Sequence, residues 1–229
     1  MTETHFDDVA AVYDETLPGH VVEHYIQKRA RFVLQASPPP GRLLDVGCGT
    51  GVLAARLTGL GYDVTGLDPS QGMLDVMKER APGVNAVHGS GTEMPFADGE
   101  FALSLSVATM HHIADRDAVR RALEEMVRVV RPGGRILVWD HNPRNPYWPY
   151  LMKRVPQDSG EERLVDLDEL LAGLESGGAR PLRVEQLGLV PDFTPRRLLR
   201  PAAALERAAE HTPVLRRRCA HNVVLAEKR

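Results

Sequence analysis

Four residues able to move protons come in two adjacent pairs, His111-His112 and Asp140-His141, and each pair directly follows a short apolar run. Histidine is the side chain whose ordinary pKa best suits proton removal near neutral pH. These four are the candidate catalytic residues, and each equally suits a structural duty such as capping a helix or bonding buried backbone. A second group points to ligand binding. Asp45 stands just ahead of Gly47-Cys48-Gly49-Thr50-Gly51, and Asp68 follows about 20 residues after that loop begins. Glycines let backbone approach a ligand closely, and a carboxylate such as Asp68 can accept both hydroxyls of a ribose.

The surrounding pattern predicts elements that place these residues at one edge. A helical opening segment, residues 1–40, is broken by Pro38-Pro39-Pro40-Gly41. Leu43–Val46 reads as a buried strand, Val52–Leu60 as a helix and Tyr62–Asp68 as a second strand. Met73–Arg80 continues as helix, then Val84–His88 and Phe101–Val107 as strands. Asp117–Val130 has one apolar helical face and is expected to end at Pro132-Gly133-Gly134, ahead of a fifth strand, Arg135–Trp139. After a Pro/Asn-rich loop and an aromatic stretch, Tyr147 to Tyr150, come a helix over Leu167–Glu175 and two last strands, Leu182–Leu189 and Asn222–Ala226. A helix-prone insert, residues 191–213, separates that final pair and suits either a lid or a dimer contact. Such alternation implies one α/β domain spanning 1–229, a doubly wound, mostly parallel sheet with helices on both faces.

The glycine loop must then be matched to a ligand. A dinucleotide fingerprint places a glycine at the sixth position of the loop, for pyrophosphate on the helix terminus; that position is Val52. The anion at Asp45 suits a cationic amino-acid tail instead. S-adenosylmethionine (SAM) has such a tail, a sulfonium and no phosphate, so it fits better than a nicotinamide dinucleotide.

Leu43-Leu44-Asp45-Val46-Gly47-Cys48-Gly49-Thr50-Gly51 resembles the first motif of the class I SAM-dependent methyltransferases, a Rossmann-like family. Leu67-Asp68-Pro69-Ser70, the stretch from Gly89 to Phe96, Met110-His111-His112-Ile113 and Arg131-Pro132-Gly133-Gly134 resemble its later motifs, in order. The resemblance implies a seven-stranded sheet with an antiparallel last strand. It also implies that Gly47, Gly49 and Gly51 surround the methionine moiety and that Asp68 holds the ribose, with Pro69 and Val107 beside the site. Met73 would lie on the adenine face or pack as a core residue of its helix. The family usually has an acidic residue after Gly89, where this chain has Ser90; Gly91 and Thr92 still offer backbone groups to the adenine. Tyr13-Asp14 is similar to a Tyr-Asp pair with which relatives close over the cofactor.

Composition narrows the acceptor. The net charge of -3 argues against an obligate nucleic-acid binder, and the basic runs at Arg196-Arg197, Arg200 and Arg216-Arg217-Arg218 read as solvated helix faces. Two cysteines, Cys48 and Cys219, make neither a disulfide framework nor a multi-cysteine metal site, and no metal is expected. An acidic start from Met1 to Asp8 has no apolar signal core, and no apolar run reaches membrane-spanning length. The expectation is a cytoplasmic monomer or homodimer, without a membrane or nucleic-acid partner, that methylates a small-molecule acceptor at O, N or C and releases S-adenosyl-L-homocysteine. A methyltransferase acting on protein or RNA, and a non-catalytic SAM-binding or regulatory protein, are the alternatives.

Overall fold

The computed structural model describes residues 3–113, 115–152 and 162–229, so Met1 and Thr2 of the expected N-terminal segment lie outside it. Two helices open the chain, α1 (Glu3–Val9) and α2 (Gly19–Ala36). The sheet then builds through β1 (Arg42–Val46), α3 (Val52–Gly59), β2 (Asp63–Asp68), α4 (Gln71–Arg80), β3 (Asn85–His88) and β4 (Phe101–Val107). It continues with α5 (Arg116–Arg128), β5 (Val130–His141), α6 (Trp148–Leu151), α7 (Leu167–Ser176), β6 (Ala179–Leu187), α8 (Leu199–His211) and β7 (His221–Lys228).

The strand order is β3-β2-β1-β4-β5-β7-β6, with β7 antiparallel to both of its neighbours and the other pairings parallel. The chain runs outward from β1 to β3, then crosses back to lay β4 on the other side of β1. At such a reversal the crevice at the carboxyl ends of the strands opens, and both Asp45 and the His111-His112 pair sit at that edge. Strand residues alternate between two apolar layers because side chains alternate across a pleat. Leu44, Val46, Ile136 and Val138 pack with α5 and α7 residues such as Leu123, Met126 and Leu170. Leu43, Leu105, Leu137 and Trp139 pack with Ile26, Val33, Leu57 and Met77 of α2, α3 and α4. Helix starts are capped locally: Asp115 accepts from the Ala118 N–H at 2.8 Å, and Ser70 Oγ from the Met73 N–H at 3.1 Å.

Three boundaries differ from expectation. α5 stops at Arg128, and Pro132-Gly133-Gly134 lies inside β5 instead of ending the helix. A register shift opposite Phe101 and Leu103 absorbs the proline, which cannot donate to a ladder and is tolerated at a bulge. β6 begins at Ala179, three residues early, and ends at Leu187, where Gly188 turns the chain at φ +84°. β7 runs beyond the expected Asn222–Ala226 at both ends.

The insert between β6 and β7 is anchored to the body through Glu206, whose side chain is 1% exposed. Its carboxylate accepts from His24 Nε2 (2.9 Å), Lys28 Nζ (2.6 Å), Leu189 N–H (2.6 Å) and Val190 N–H (3.1 Å). Burial works to raise its pKa, but these donors hold it down at about 2. No helix among the described residues is long and apolar enough to cross a membrane.

Candidate active site

The glycine loop is held from β2. Gly47 and Cys48 both donate N–H to the Leu67 carbonyl, at 2.8 and 3.2 Å, and Gly49 donates to Asp68 Oδ2 at 2.9 Å. Gly47 and Gly51 need glycine twice over. Both have left-handed φ, +72° and +75°, and an added Cβ would lie 2.3 Å from Thr109 and 2.2 Å from Met77 respectively. At Gly49 a Cβ would meet nothing within 4 Å, so this face of the loop is open.

That open face borders a cavity of about 560 Å³ at the ends of β1 and β4. Its walls carry two opposite charges that do not pair. Asp45 is buried, and no hydrogen bond or ion pair reaches its carboxylate among the described residues. Burial, with the nearby Asp68 charge added, pushes its pKa up to about 7, against a smaller opposing effect of Arg29. Arg29, from α2, brings its guanidinium to the same cavity over the rings of Tyr25 and Trp139, at 5.7 and 5.9 Å. Its Nε is buried without an acceptor. Burial lowers the Arg29 pKa from a value so high that the group stays charged. Buried charges are ordinarily paired, so an anion and a cation left open on one cavity are complementary to a zwitterion. The residues therefore fit the amino-acid tail of SAM. Tyr13 and Asp14 wall the same space, and Asp14 Oδ1 accepts from Thr50 Oγ1 at 2.9 Å while pairing with Arg80, which clamps the loop.

The opposite wall is built on Asp140. Ala108, at φ +54°, turns the chain sharply after Val107 and starts the segment carrying both histidines. Asp140 is fully enclosed and accepts from Thr109 N–H (3.2 Å), Met110 N–H (2.6 Å), His141 N–H (2.7 Å) and His111 Nδ1 (2.8 Å). Burial works to raise its pKa, but His111 and the backbone donors outweigh it and keep the carboxylate ionised. Four rings then form a column, His112, His111, His141 and Trp148, with successive centroids 4.0, 3.9 and 3.6 Å apart. Burial, reinforced by the neighbouring imidazoles, holds His141 well below the usual histidine range, and burial beside Arg29 takes His221 to about 3. His111, Asp140 and His141 do bring ligand atoms within 4.8 Å of one another. The rings of His111 and His141 are stacked face to face, however, so their lone pairs do not converge, and Asp140 is already occupied by donors. Within the set, His111 and Asp140 are hydrogen-bonded to each other, while His141 Nδ1 is buried without a partner.

The expected nucleoside residues lie apart from this cavity. Asp68, Pro69, Met73, Ser90, Gly91 and Thr92 do not line it; Asp45, Gly47, Gly49, Val107, His111, His112, His141 and Tyr13 do. Asp68 Oδ1 accepts the Ser70 N–H at 2.9 Å, so both of its oxygens are oriented by backbone with lone pairs to spare. Met73 is buried. Ser90 is exposed, and its hydroxyl bonds Thr92 Oγ1 at 2.8 Å. Helix α1 closes over this end: Asp7 Oδ1 accepts from Ser70 Oγ (2.6 Å) and Gly72 N–H (2.8 Å), and Phe6 packs edge-on against His112. From the insert only Pro191 and Asp192 reach the cavity, together with Arg218 beyond it; α8 does not roof it.

Trp148 lies on the cavity within the aromatic stretch after the Pro/Asn-rich loop, whereas Arg29, Tyr25 and His221 line it without belonging to any motif of the sequence. A signal existed for Arg29: it continues the inward stripe Val21-Tyr25 of α2, where an arginine is out of place unless it serves a buried site.

Residues 44–138 match the family model described as a methyltransferase domain. The chain is 34% identical to a demethylmenaquinone methyltransferase from Renibacterium salmoninarum, over 66% of this chain and 68% of that one. It is 36% identical to a demethylmenaquinone methyltransferase from Mycolicibacterium vanbaalenii, over 80% and 83% of the two chains. A SAM-dependent methyltransferase from Thermotoga maritima, described as a possible histamine N-methyltransferase, shares the fold over the whole of both chains, with a TM-score of 0.71 and 18% identity. With its seven-stranded sheet, glycine loop and two long-range relatives in agreement, the chain belongs to the class I SAM-dependent methyltransferases.

Proposed function

We propose that this enzyme methylates a small, planar and largely apolar acceptor carrying an ionisable hydroxyl, of the phenol or quinol type, with His111 as the base. The observation that carries the cofactor half is the unpaired Asp45 and Arg29 on one cavity beside the open face of Gly49. The acceptor half is supported by the ring column and by the apolar walls supplied by Val21, Ile26, Leu53 and Val190. Two relatives whose names specify a quinone-type substrate point the same way.

SAM, when bound, supplies an electrophilic methyl group on a sulfonium. Asp45 would face its ammonium and Arg29 its carboxylate, with Gly47, Gly49 and Gly51 keeping backbone close and Tyr13 closing the side. Asp68 would accept the ribose hydroxyls, and Pro69, Met73, Ser90, Gly91, Thr92 and Val107 would border the nucleoside. Asp140 fixes His111 through Nδ1, which leaves Nε2 as the ring nitrogen able to take the acceptor proton. The same carboxylate stabilises the imidazolium that results, as a buried carboxylate does for any paired histidine base. His141 holds the ring in place by stacking and His112 packs against it at a tilt, and Trp148 backs His141.

Calorimetry with SAM and with NAD, followed by a mass-shift screen over pooled phenols, quinols and amines, tests the reading. Expected are micromolar SAM binding, no measurable NAD binding, and methylated products among the ring hydroxyl compounds. NAD binding with silence toward SAM, or products confined to amines, would overturn it.

A further inference from the structure

We infer that the segment from Phe193 to Arg218 is a membrane-docking surface, and that it seats the cavity mouth on an anionic lipid bilayer. Five of the ten exposed large apolar residues among those described fall here: Phe193, Leu198, Leu205, Val214 and Leu215. Phe193 is 71% exposed although one edge of its ring meets Tyr147, and Val214 is 75% exposed. The charge on the same segment is segregated. Arg196, Arg197, Arg200, Arg207 and the run Arg216–Arg218 form no ion pair among the described residues. Both carboxylates of α8 turn inward, Glu206 to His24 and Lys28, and Glu210 to Lys28 and the Gly188 N–H. The outward positions of α8 are Arg200, Pro201, Ala204, Leu205, Arg207, Ala208 and His211, with no acid among them.

Unpaired arginines interleaved with projecting apolar side chains match an interface of lipid phosphates over acyl chains. A second copy of the chain fits less well, because an isologous contact would set the same arginines against each other. Nucleic acid would leave Leu198, Leu205, Val214 and Leu215 without a role, since bases stack on aromatic rings. The location gives the surface a purpose. Asn142 and Asn145 donate to the carbonyls of Arg217, Cys219 and Arg218, and Phe193 packs on Tyr147, so both ends of the segment adjoin the cavity wall. An apolar acceptor could then pass from the bilayer without crossing water, a consequence that rests on the acceptor class proposed above. The net charge of -3 hides this surface because it averages the segment with the acidic remainder of the chain.

The test is flotation of the full chain with vesicles, without SAM or acceptor, so that its outcome is independent of the acceptor reading. Vesicles of phosphatidylcholine alone are compared with vesicles containing roughly one third phosphatidylglycerol. Binding to the anionic vesicles should be at least about tenfold stronger and should weaken with added salt. A triple variant, Arg196→Glu, Arg197→Glu and Arg200→Glu, should fall to the neutral-vesicle level. A second, Phe193→Ser, Leu205→Ser and Val214→Ser, should lose binding with its charge intact, and both should keep SAM affinity as a check of folding. No preference for anionic vesicles, or binding that survives both variants, overturns the inference. So does a dimer, or retention of duplex RNA, that the same substitutions abolish while vesicles are ignored. A failure here with turnover intact on a water-soluble phenol would leave the methyl-transfer reading standing.

Discussion

The two walls of the cavity are constructed in opposite ways. On the glycine-loop wall, Asp45 is buried and Arg29 half-buried with its Nε enclosed, and neither charge is paired within the described chain. On the histidine wall the charged group is answered from within: Asp140 takes four N–H donors, and its imidazole partner lies between His141, stacked on it, and His112, tilted against it, although His141 Nδ1 itself is buried without a partner. The unpaired wall loses stability that a zwitterionic ligand would restore, so under the proposed function it is the wall that binds. The Asp140 hub is already assembled without a ligand, which suits a proton acceptor that must be in place for the reaction. Binding and chemistry should therefore separate by wall when residues are changed.

The sharpest break falls on the histidine wall. His111→Ala should lower turnover with a proton-bearing acceptor by about 100-fold or more while leaving the SAM dissociation constant unchanged, measured by steady-state kinetics beside calorimetry. His112→Ala should cost less, because it removes only a ring packed at a tilt against His111. If both variants turn over normally, the base is elsewhere, and His141 becomes the candidate.

Next comes the loop wall. Arg29→Met leaves a carboxylate of the ligand unpaired and should weaken SAM by about 2–3 kcal/mol, roughly 30- to 150-fold, with turnover at saturating SAM little affected. A fall in turnover without a fall in affinity would place Arg29 on the acceptor and undo the division.

Acidity sharpens the same contrast. Burial and Asp68 raise the Asp45 pKa to about 7, with Arg29 opposing. The ammonium of SAM binds the ionised form, so affinity should be flat above about pH 7 and fall toward about tenfold per unit below it. Asp45→Asn should flatten that dependence. A slope that persists in the variant would assign it to another group.

The smallest effect is expected at Ser90, outside both walls. Ser90→Asp adds a carboxylate where an adenine amino group is expected, and SAM affinity should stay within about threefold or improve. A large loss with the circular dichroism spectrum intact would mean that Ser90 faces something other than adenine.

The sheet and its glycine loop were legible because they are local. Alternating apolar runs, Asp45 ahead of three spaced glycines and Asp68 at the next strand end can all be read within about 25 residues, and backbone sterics leave such a stretch few alternatives. The Pro132-Gly133-Gly134 error is the instructive exception. Its turn residues also suit a bulge, and pairing with β4, not local preference, decided between the two.

His111, His112, Asp140 and His141 were legible as residue types at strand ends, but their division of labour was not. Which imidazole Asp140 holds depends on β4 and β5 lying side by side, with Val107 opposite Trp139. The partner of Asp45 in charge lies on α2, and His221 and Trp148 arrive from β7 and α6. The amino-acid order by itself determined the fold class and the cofactor loop, since both rest on short-range pattern and conformational preference. Which charges stay unpaired, which histidine can take a proton, and where arginines gather without acids were decided only by tertiary packing, because burial and pairing belong to neighbours far apart in the chain.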